Sequence, residues 1–293
     1  MPSPYLRRRQ LAVEIRKLRE SRGLTTDALA NLMYYTRSKI SRLENAQGRP
    51  DVAEILKILD LLEVTGNQYD KLFKLTREAA ERGWWDRYGM SMGSRQKLYA
   101  DLEYSADTVR EYNQTVMPAV LQAPEFISAL VDLDRCHGEL DYLPERMTEA
   151  RMRRQSELLR PGGPSYETVL DECVIHRLSV PPRAKIAQLR HMVEVVAEHE
   201  RITVRVLRYD ASVPGGFLPK SAFYLYTFAE PGDSPIAVID TVTVDHVVTQ
   251  RGEVGRYAGM YDRLREAALS REDSTTFLDQ VANRLSDQTG SMP

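Results

Sequence analysis

The chain has 293 residues, 42% hydrophobic and 28% charged, with a net charge of −2, a balance that fits a globular protein of one large domain or two. No apolar run approaches the roughly 18 residues that suggest a membrane helix, and the basic N-terminus lacks the apolar core of a secretory signal. Cys136 and Cys173 have neither metal nor redox spacing, so a cytoplasmic protein with reduced thiols and no membrane partner is expected.

The charge is unevenly spread. Residues 1–50 hold eleven Lys and Arg against four Asp and Glu, a balance of +7, and the remainder holds 29 against 38, a balance of −9. A basic head on an acidic body points the head toward a polyanion.

The head reads as a run of short helices. "QLAVEIRKLRES", residues 10–21, sets Leu11, Ile15 and Leu18 at helical spacing, and Gly23 stops it. Thr25 can cap the next helix, with Ala28, Leu29 and Leu32 as its apolar stripe, and the chain turns at Met33 to Tyr35. Thr36 can cap "RSKISRLEN", and Gly48 and Pro50 end that unit. "DVAEILKILDLLEV" turns Ile55, Ile58, Leu59 and Leu62 inward, and a fifth helix runs to about Arg82 behind Tyr69, Leu72, Phe73 and Leu75.

On the third helix, at about 100° per residue, Ile40 and Leu43 share one side. Ser38, Ser41, Arg42 and Asn45 lie opposite, flanked by Arg37 and Lys39. Short polar side chains let a helix approach base edges, and flanking cations meet phosphates, so this face fits a DNA major groove.

"LRESRGLTTDALANLMYYTRSKISRLENAQGRP" resembles the helix-turn-helix of the Cro and lambda-repressor type, the XRE family, over about residues 10–64. The resemblance implies double-stranded DNA as the partner and places Thr36, Arg37, Ser38, Ser41 and Arg42 at the contact, with Lys39 beside them. Thr26 stands where the family often has Gln at the start of the second helix, and Tyr34 stands where the turn often has Gly. If that turn needs φ > 0, Tyr34 is strained there. Such heads usually read two half-sites, so a homodimer is expected.

Past the fifth helix, Gly83 precedes Trp84 and Trp85. Adjacent aromatics seldom face the same way, so one is expected to anchor the connector and the pair is a candidate partner site. The expected organisation is a head at 1–82, a connector at 83–96 and a body at 97–293. Leu98, Leu102 and Tyr104 begin a strand or short helix, residues 116–124 form a turn, and helices follow at 125–133 and 144–160. "YETVLDECVI", "RITVRVLRY", "AFYLYTF" and "PIAVIDTVTV" read as strands rich in Val, Ile, Tyr and Thr, with a helix at 183–199 between the first two. Helices at 252–270 and 274–285 close the chain, and "SDQTGSMP" is expected to fray. The class is α+β: an all-α five-helix head, then an α+β domain with a mainly antiparallel or mixed sheet.

The body shows no G-x-S-x-G, Walker loop, H-E-x-x-H or C-x-x-C. His137, His176, His191, His199 and His246 are scattered without a second ligand at metal spacing. Asp171 and Glu172 lie near His176, but on a strand adjacent residues point to opposite faces. No catalytic residue, metal or cofactor is therefore expected. Binding candidates are the loop "DASVPGGFLPK", with Gly215 and Gly216, and the Arg151/Arg154 pair, three apart on one helical face and able to clamp a carboxylate or an acidic partner.

"GWWDRYG", "VMPAVLQAPEFISAL", "RMRRQSELL", "ITVRVLRYDASVPGGF" and "YDRLREAALS" are spaced as in a large actinobacterial regulator family that joins an XRE head to an uncharacterised body. Those proteins resemble regulators of development and antibiotic production, and antitoxin-like regulators encoded beside a small partner protein. The resemblance implies a nucleoid-associated transcriptional regulator whose body senses a small acidic partner protein or a small-molecule effector. The alternative is an antitoxin-like protein that mainly sequesters the partner and binds DNA to regulate itself. The family often has Pro-Gly-Leu-Leu-Gln where this chain has "MPAVLQ", so Ala119 puts a tight turn there in question.

Overall fold

A computed structural model of the protein describes residues 2–290 except 137, 141, 178, 179, 231 and 242. Among the residues singled out above, His137 and the last three residues of the C-terminal stretch lie outside that set. The chain divides into two compact units, Met1–Arg87 and Tyr88–Pro293.

The first unit holds five helices: α1 (Pro4–Ser21), α2 (Thr26–Leu32), α3 (Arg37–Glu44), α4 (Val52–Leu61) and α5 (Gly66–Ala80). Ser3, Thr25, Thr36 and Asp51 precede the first four in extended backbone, and their side-chain oxygens accept the amides of Leu6, Ala28, Lys39 and Glu54. Each bond satisfies a helix-start N–H that has no partner within the helix. The caps expected at Thr25 and Thr36 are present. α1 begins earlier than the apolar periodicity suggests, because Ser3 and Pro4 supply a cap and an N-terminal proline ahead of the basic run.

Four of these helices end alike. The amides of Leu24, Tyr35, Gln47 and Val64 donate to the carbonyls of Arg19, Ala30, Arg42 and Leu59, the closure that requires a left-handed residue just past the helix. α1 uses Gly23 at φ 68, whereas α2, α3 and α4 use Tyr34 at φ 54, Ala46 at φ 54 and Glu63 at φ 52. The position where the family often has Gly does have φ > 0, and a side chain there costs about 1 kcal/mol. The strain is held by a shared core in which Leu11, Ile15, Leu29, Ile40, Ile58 and Leu59 are buried together, each worth roughly 1.5–3 kcal/mol.

Beyond α5, a Cβ built on Gly83 would lie 2.2 Å from the Trp85 ring, so only glycine lets that ring sit where it does. Trp85 is buried and Trp84 half-buried, edge-on at 5.8 Å between centroids.

The second unit is an α+β domain. Its elements are α6 (Ser94–Ser105), β1 (Thr108–Asn113), α7 (Pro124–Cys136), α8 (Pro144–Leu159), β2 (Ser165–Asp171), α9 (Glu172–Arg177), α10 (Pro182–Glu198), β3 (Ile202–Leu207), β4 (Phe223–Thr227), β5 (Ile236–Ile239), β6 (His246–Val248), α11 (Arg251–Ala267) and α12 (Arg271–Gly290). The strands form one mixed sheet in the order β3-β2-β1-β4-β5-β6. β1, β2 and β3 run parallel, and β4, β5 and β6 add antiparallel neighbours.

Several local readings need correcting. Of the two alternatives for the segment around Leu98 to Tyr104 the helix is the one present, as α6, whereas β1, unrecognised in the sequence, lies inside the sheet between β2 and β4. "ECVI" is the helix α9, so the strand argument that separated Asp171 from Glu172 does not hold. The fourth expected strand stops at Ile239, and α12 extends to Gly290 through residues expected to fray. Ala119 lies in a 3-10 turn, Ala119–Leu121, without a positive φ, so no glycine is needed there.

The two faces of the sheet differ chemically. Tyr112, Val169, Phe223, Leu225 and Ala237 pack against Val254, Tyr261 and Leu264 of α11. The alternate positions carry Glu111, Asn113, Tyr166, Thr168, Tyr224 and Tyr226, all buried. α6 lies on this polar face, with the Tyr99 ring 4.8 Å from that of Tyr224.

Candidate functional site

In the head, α3 is gripped from behind. Ile40 is buried and Leu43 packs against the same core. Glu44 is buried and forms a forked pair with Arg19 of α1, Nε to Oε1 at 2.5 Å and Nη2 to Oε2 at 3.0 Å. Arg16 donates from Nη2 to the Glu44 carbonyl at 2.8 Å. On the opposite side Thr36, Arg37, Ser38, Lys39 and Arg42 are exposed, Ser41 is half-buried, and Thr26 is half-buried at the start of α2.

These residues are not electrostatically equivalent. Lys39 donates to Glu54, which holds its pKa above the ordinary value, and its ammonium sits 3.8 Å above the Tyr35 ring. Arg37 lies 3.7 Å from Asp27. The Arg42 side chain makes no hydrogen bond or ion pair among the described residues, so its guanidinium is the uncommitted charge on the face. Thr36 caps α3, so the hydroxyl expected at DNA already accepts the Lys39 amide at 3.3 Å.

In the second unit, a cavity of about 510 Å³ opens between α6, the Val116–Gln122 stretch, α7 and α8. Arg154 is buried in its wall with two nitrogens on Glu103, while Nη1 donates to Gln96 at 2.7 Å and the guanidinium lies 5.2 Å from the Tyr99 ring centroid. The carboxylate that Arg154 clamps is thus the chain's own. Arg151 donates from Nη1 to Gln122 Oε1 at 2.7 Å. Arg95 is held by Asp240 at 2.5 Å and Asp245 at 2.6 Å.

The cavity brings Arg151 and Arg154 together but excludes the glycine loop. Gly215 and Gly216 have φ 81 and φ 66, and Gly215 lies by Arg263 of α11, on the other face of the sheet. Trp84 and Trp85 belong to the first unit. Sequence reasoning missed Arg95, Tyr99, Glu103, Gln122 and Asp240, whose separation along the chain left no local motif. Beneath the cavity's polar wall, Glu111 accepts from Tyr166 and, at 2.7 Å, from Asn113, and burial pushes its pKa up.

The acid–base possibility near His176 has a structural explanation. α9 puts Glu172 and His176 on one helical face at 3.3 Å, but Glu172 also takes Arg208 at 3.0 Å and the Tyr209 amide at 2.9 Å. Glu172 therefore ties α9 to the segment after β3. Among the described residues no His, Cys, Asp or Glu cluster could hold a metal ion, and no helix is long and apolar enough to cross a membrane.

Comparison with known families divides the chain in two. A helix-turn-helix domain family matches residues 10–72, and the family described as "Domain of unknown function (DUF5753)" matches residues 96–280. No curated protein and no solved structure matches the chain. An XRE-like helix-turn-helix head is thus joined to an uncharacterised C-terminal domain, and the chain belongs to the DUF5753 family.

Proposed function

We propose that the protein is a sequence-specific transcriptional regulator that binds double-stranded DNA as a homodimer and whose C-terminal domain adjusts DNA affinity on binding a small molecule. The observation that carries the reading is α3: one side is fixed by Ile40 and the Arg19–Glu44 pair, and the other presents Ser38 and an uncommitted Arg42. A rigid helix with short polar groups and a free guanidinium suits major-groove readout. The balance of −9 over residues 51–293 disfavours a further DNA contact there. The 510 Å³ cavity has the size of a small-molecule site, which favours an effector over sequestration of a partner protein.

Selection of bound duplexes from a random pool, followed by footprinting, tests the reading. An inverted repeat with half-site centres about 34 Å apart is expected. No enriched sequence would refute specific readout, and full-affinity protection of one half-site by a monomer would refute the dimer.

A further inference from the structure

We infer that the cavity of the C-terminal domain binds a small monocarboxylate with an apolar body, and that Arg151 receives the carboxylate. The inference rests on the effector reading above and names the chemical class of the effector.

Three guanidinium groups line the cavity. Arg154 has Glu103 and Arg95 has Asp240 and Asp245. Arg151 has only the neutral Gln122, and no carboxylate lies in ion-pair range of it among the described residues. The acidic group that acts on it through space, Asp134, is taken by the Tyr142 hydroxyl at 2.6 Å. Burial and then the neighbouring Arg154 charge push the Arg151 pKa downward. A desolvated guanidinium with no counter-ion is costly to keep, and an anion arriving from solvent removes the cost.

The surroundings select the kind of anion. One uncommitted guanidinium calls for one negative charge, and the fork geometry of arginine matches a carboxylate in two parallel hydrogen bonds. Val116, Met117, Phe126 and Leu130 make the neighbouring wall apolar, so the ligand needs an apolar body. Gln122 is fixed from its other side, donating to the Met117 carbonyl at 3.1 Å, and this holds Arg151 in position before the ligand arrives. Such preorganisation lowers the ordering cost of binding.

The test uses the full-length protein. Butanoate through dodecanoate, together with 3-phenylpropionate, are titrated by calorimetry against the corresponding amides and amines. At least one acid is expected to bind at least about tenfold more tightly than its amide, as a charged hydrogen-bond pair warrants. Arg151→Met should abolish that preference without lowering the melting temperature of the ligand-free protein, because an uncompensated charge has been removed. If no acid binds at millimolar concentration, if acid and amide bind equally, or if Arg151→Met keeps the preference, the assignment is overturned. Operator binding is measured in parallel. An acid that binds through Arg151 without changing DNA affinity leaves the carboxylate site standing and refutes the effector reading. A change in DNA affinity on adding only the amides or amines keeps the effector reading and refutes the carboxylate.

Discussion

Arg19 of α1 and Glu44 at the end of α3 form a buried forked pair, with contacts of 2.5 and 3.0 Å. Arg19 also donates to the Leu24 carbonyl at 2.7 Å, so one guanidinium joins the end of α1, the start of the next turn and the base of α3. Glu44 lies within the stretch that gives the DNA face, yet it points away from that face and sets the pitch of α3 in the core.

Glu44→Ala should therefore destabilise the head by about 3 kcal/mol, because it strands a buried guanidinium. The double substitution Arg19→Met, Glu44→Leu should recover most of that loss, since a well-packed apolar pair removes both desolvation costs. Hydrogen exchange of the α1 and α3 amides reads the head separately from the rest of the chain. Equal protection in Glu44→Ala and the parent protein would show that the pair contributes nothing.

The three non-glycine residues that close α2, α3 and α4 give opposite expectations for stability and function. Ala46→Gly and Glu63→Gly should each stabilise by about 0.5–1 kcal/mol, the cost of a left-handed side chain less the extra backbone entropy of glycine. Glu63 also meets Arg22 at 2.6 Å, but that pair is exposed and worth little. Tyr34→Gly should stabilise similarly and weaken operator binding. The residue is 96% exposed, and it keeps a strained backbone beside the recognition helix without any packing reward. Thermal melting and DNA titration of the same variant test both halves. A gain in stability with unaltered affinity would remove Tyr34 from the interface.

Arg42 decides how the head reads DNA. If its guanidinium reaches a base edge, Arg42→Ala should cost about 1–3 kcal/mol and relax preference at one base pair. If it reaches a phosphate, affinity should fall for all sequences and the salt slope should drop by about one. Lys39→Ala should cost less than Arg42→Ala, because Lys39 must first leave Glu54. Titration at several salt concentrations separates these outcomes, and unchanged affinity of Arg42→Ala would refute its role.

The head was largely legible because its signals are local. The caps Thr25 and Thr36, the stop at Gly23 and the inward Ile40 each act within a few residues. The body was less legible because its determinants are distant. β1 looks like a polar loop, since Arg110, Glu111 and Asn113 break the apolar alternation, and only the finished sheet shows that Glu111 and Asn113 are buried with Tyr166. "ECVI" looks like a strand by composition, but Glu172 turns the chain into α9 and anchors it through Arg208 and Tyr209. The cavity needs residues from α6, α8 and β4 together with Asp240, which no sequence window contains. The Arg151/Arg154 spacing was visible, but not that Arg154 is already committed to Glu103 while Arg151 is not.

That difference gives the last prediction. Arg154 and Glu103 are both buried, and burial raises the Glu103 pKa while Arg154 opposes the rise. In Arg154→Met the opposition is gone, so the folded-state pKa of Glu103 moves further above its unfolded value of about 4.3. A carboxyl whose pKa is raised on folding stabilises the protein below the unfolded value and loses that contribution as pH rises through the folded one. Arg154→Met should accordingly cost about 3–5 kcal/mol at neutral pH and markedly less in mild acid. Adding Glu103→Gln removes the ionisable group, so the double variant should lose this pH dependence and recover part of the stability. Melting temperatures of the single and double variants between mild acid and neutral pH, each compared with the parent, measure both effects. A deficit for Arg154→Met that does not grow with pH would mean that Glu103 is not left charged and buried when its partner is removed.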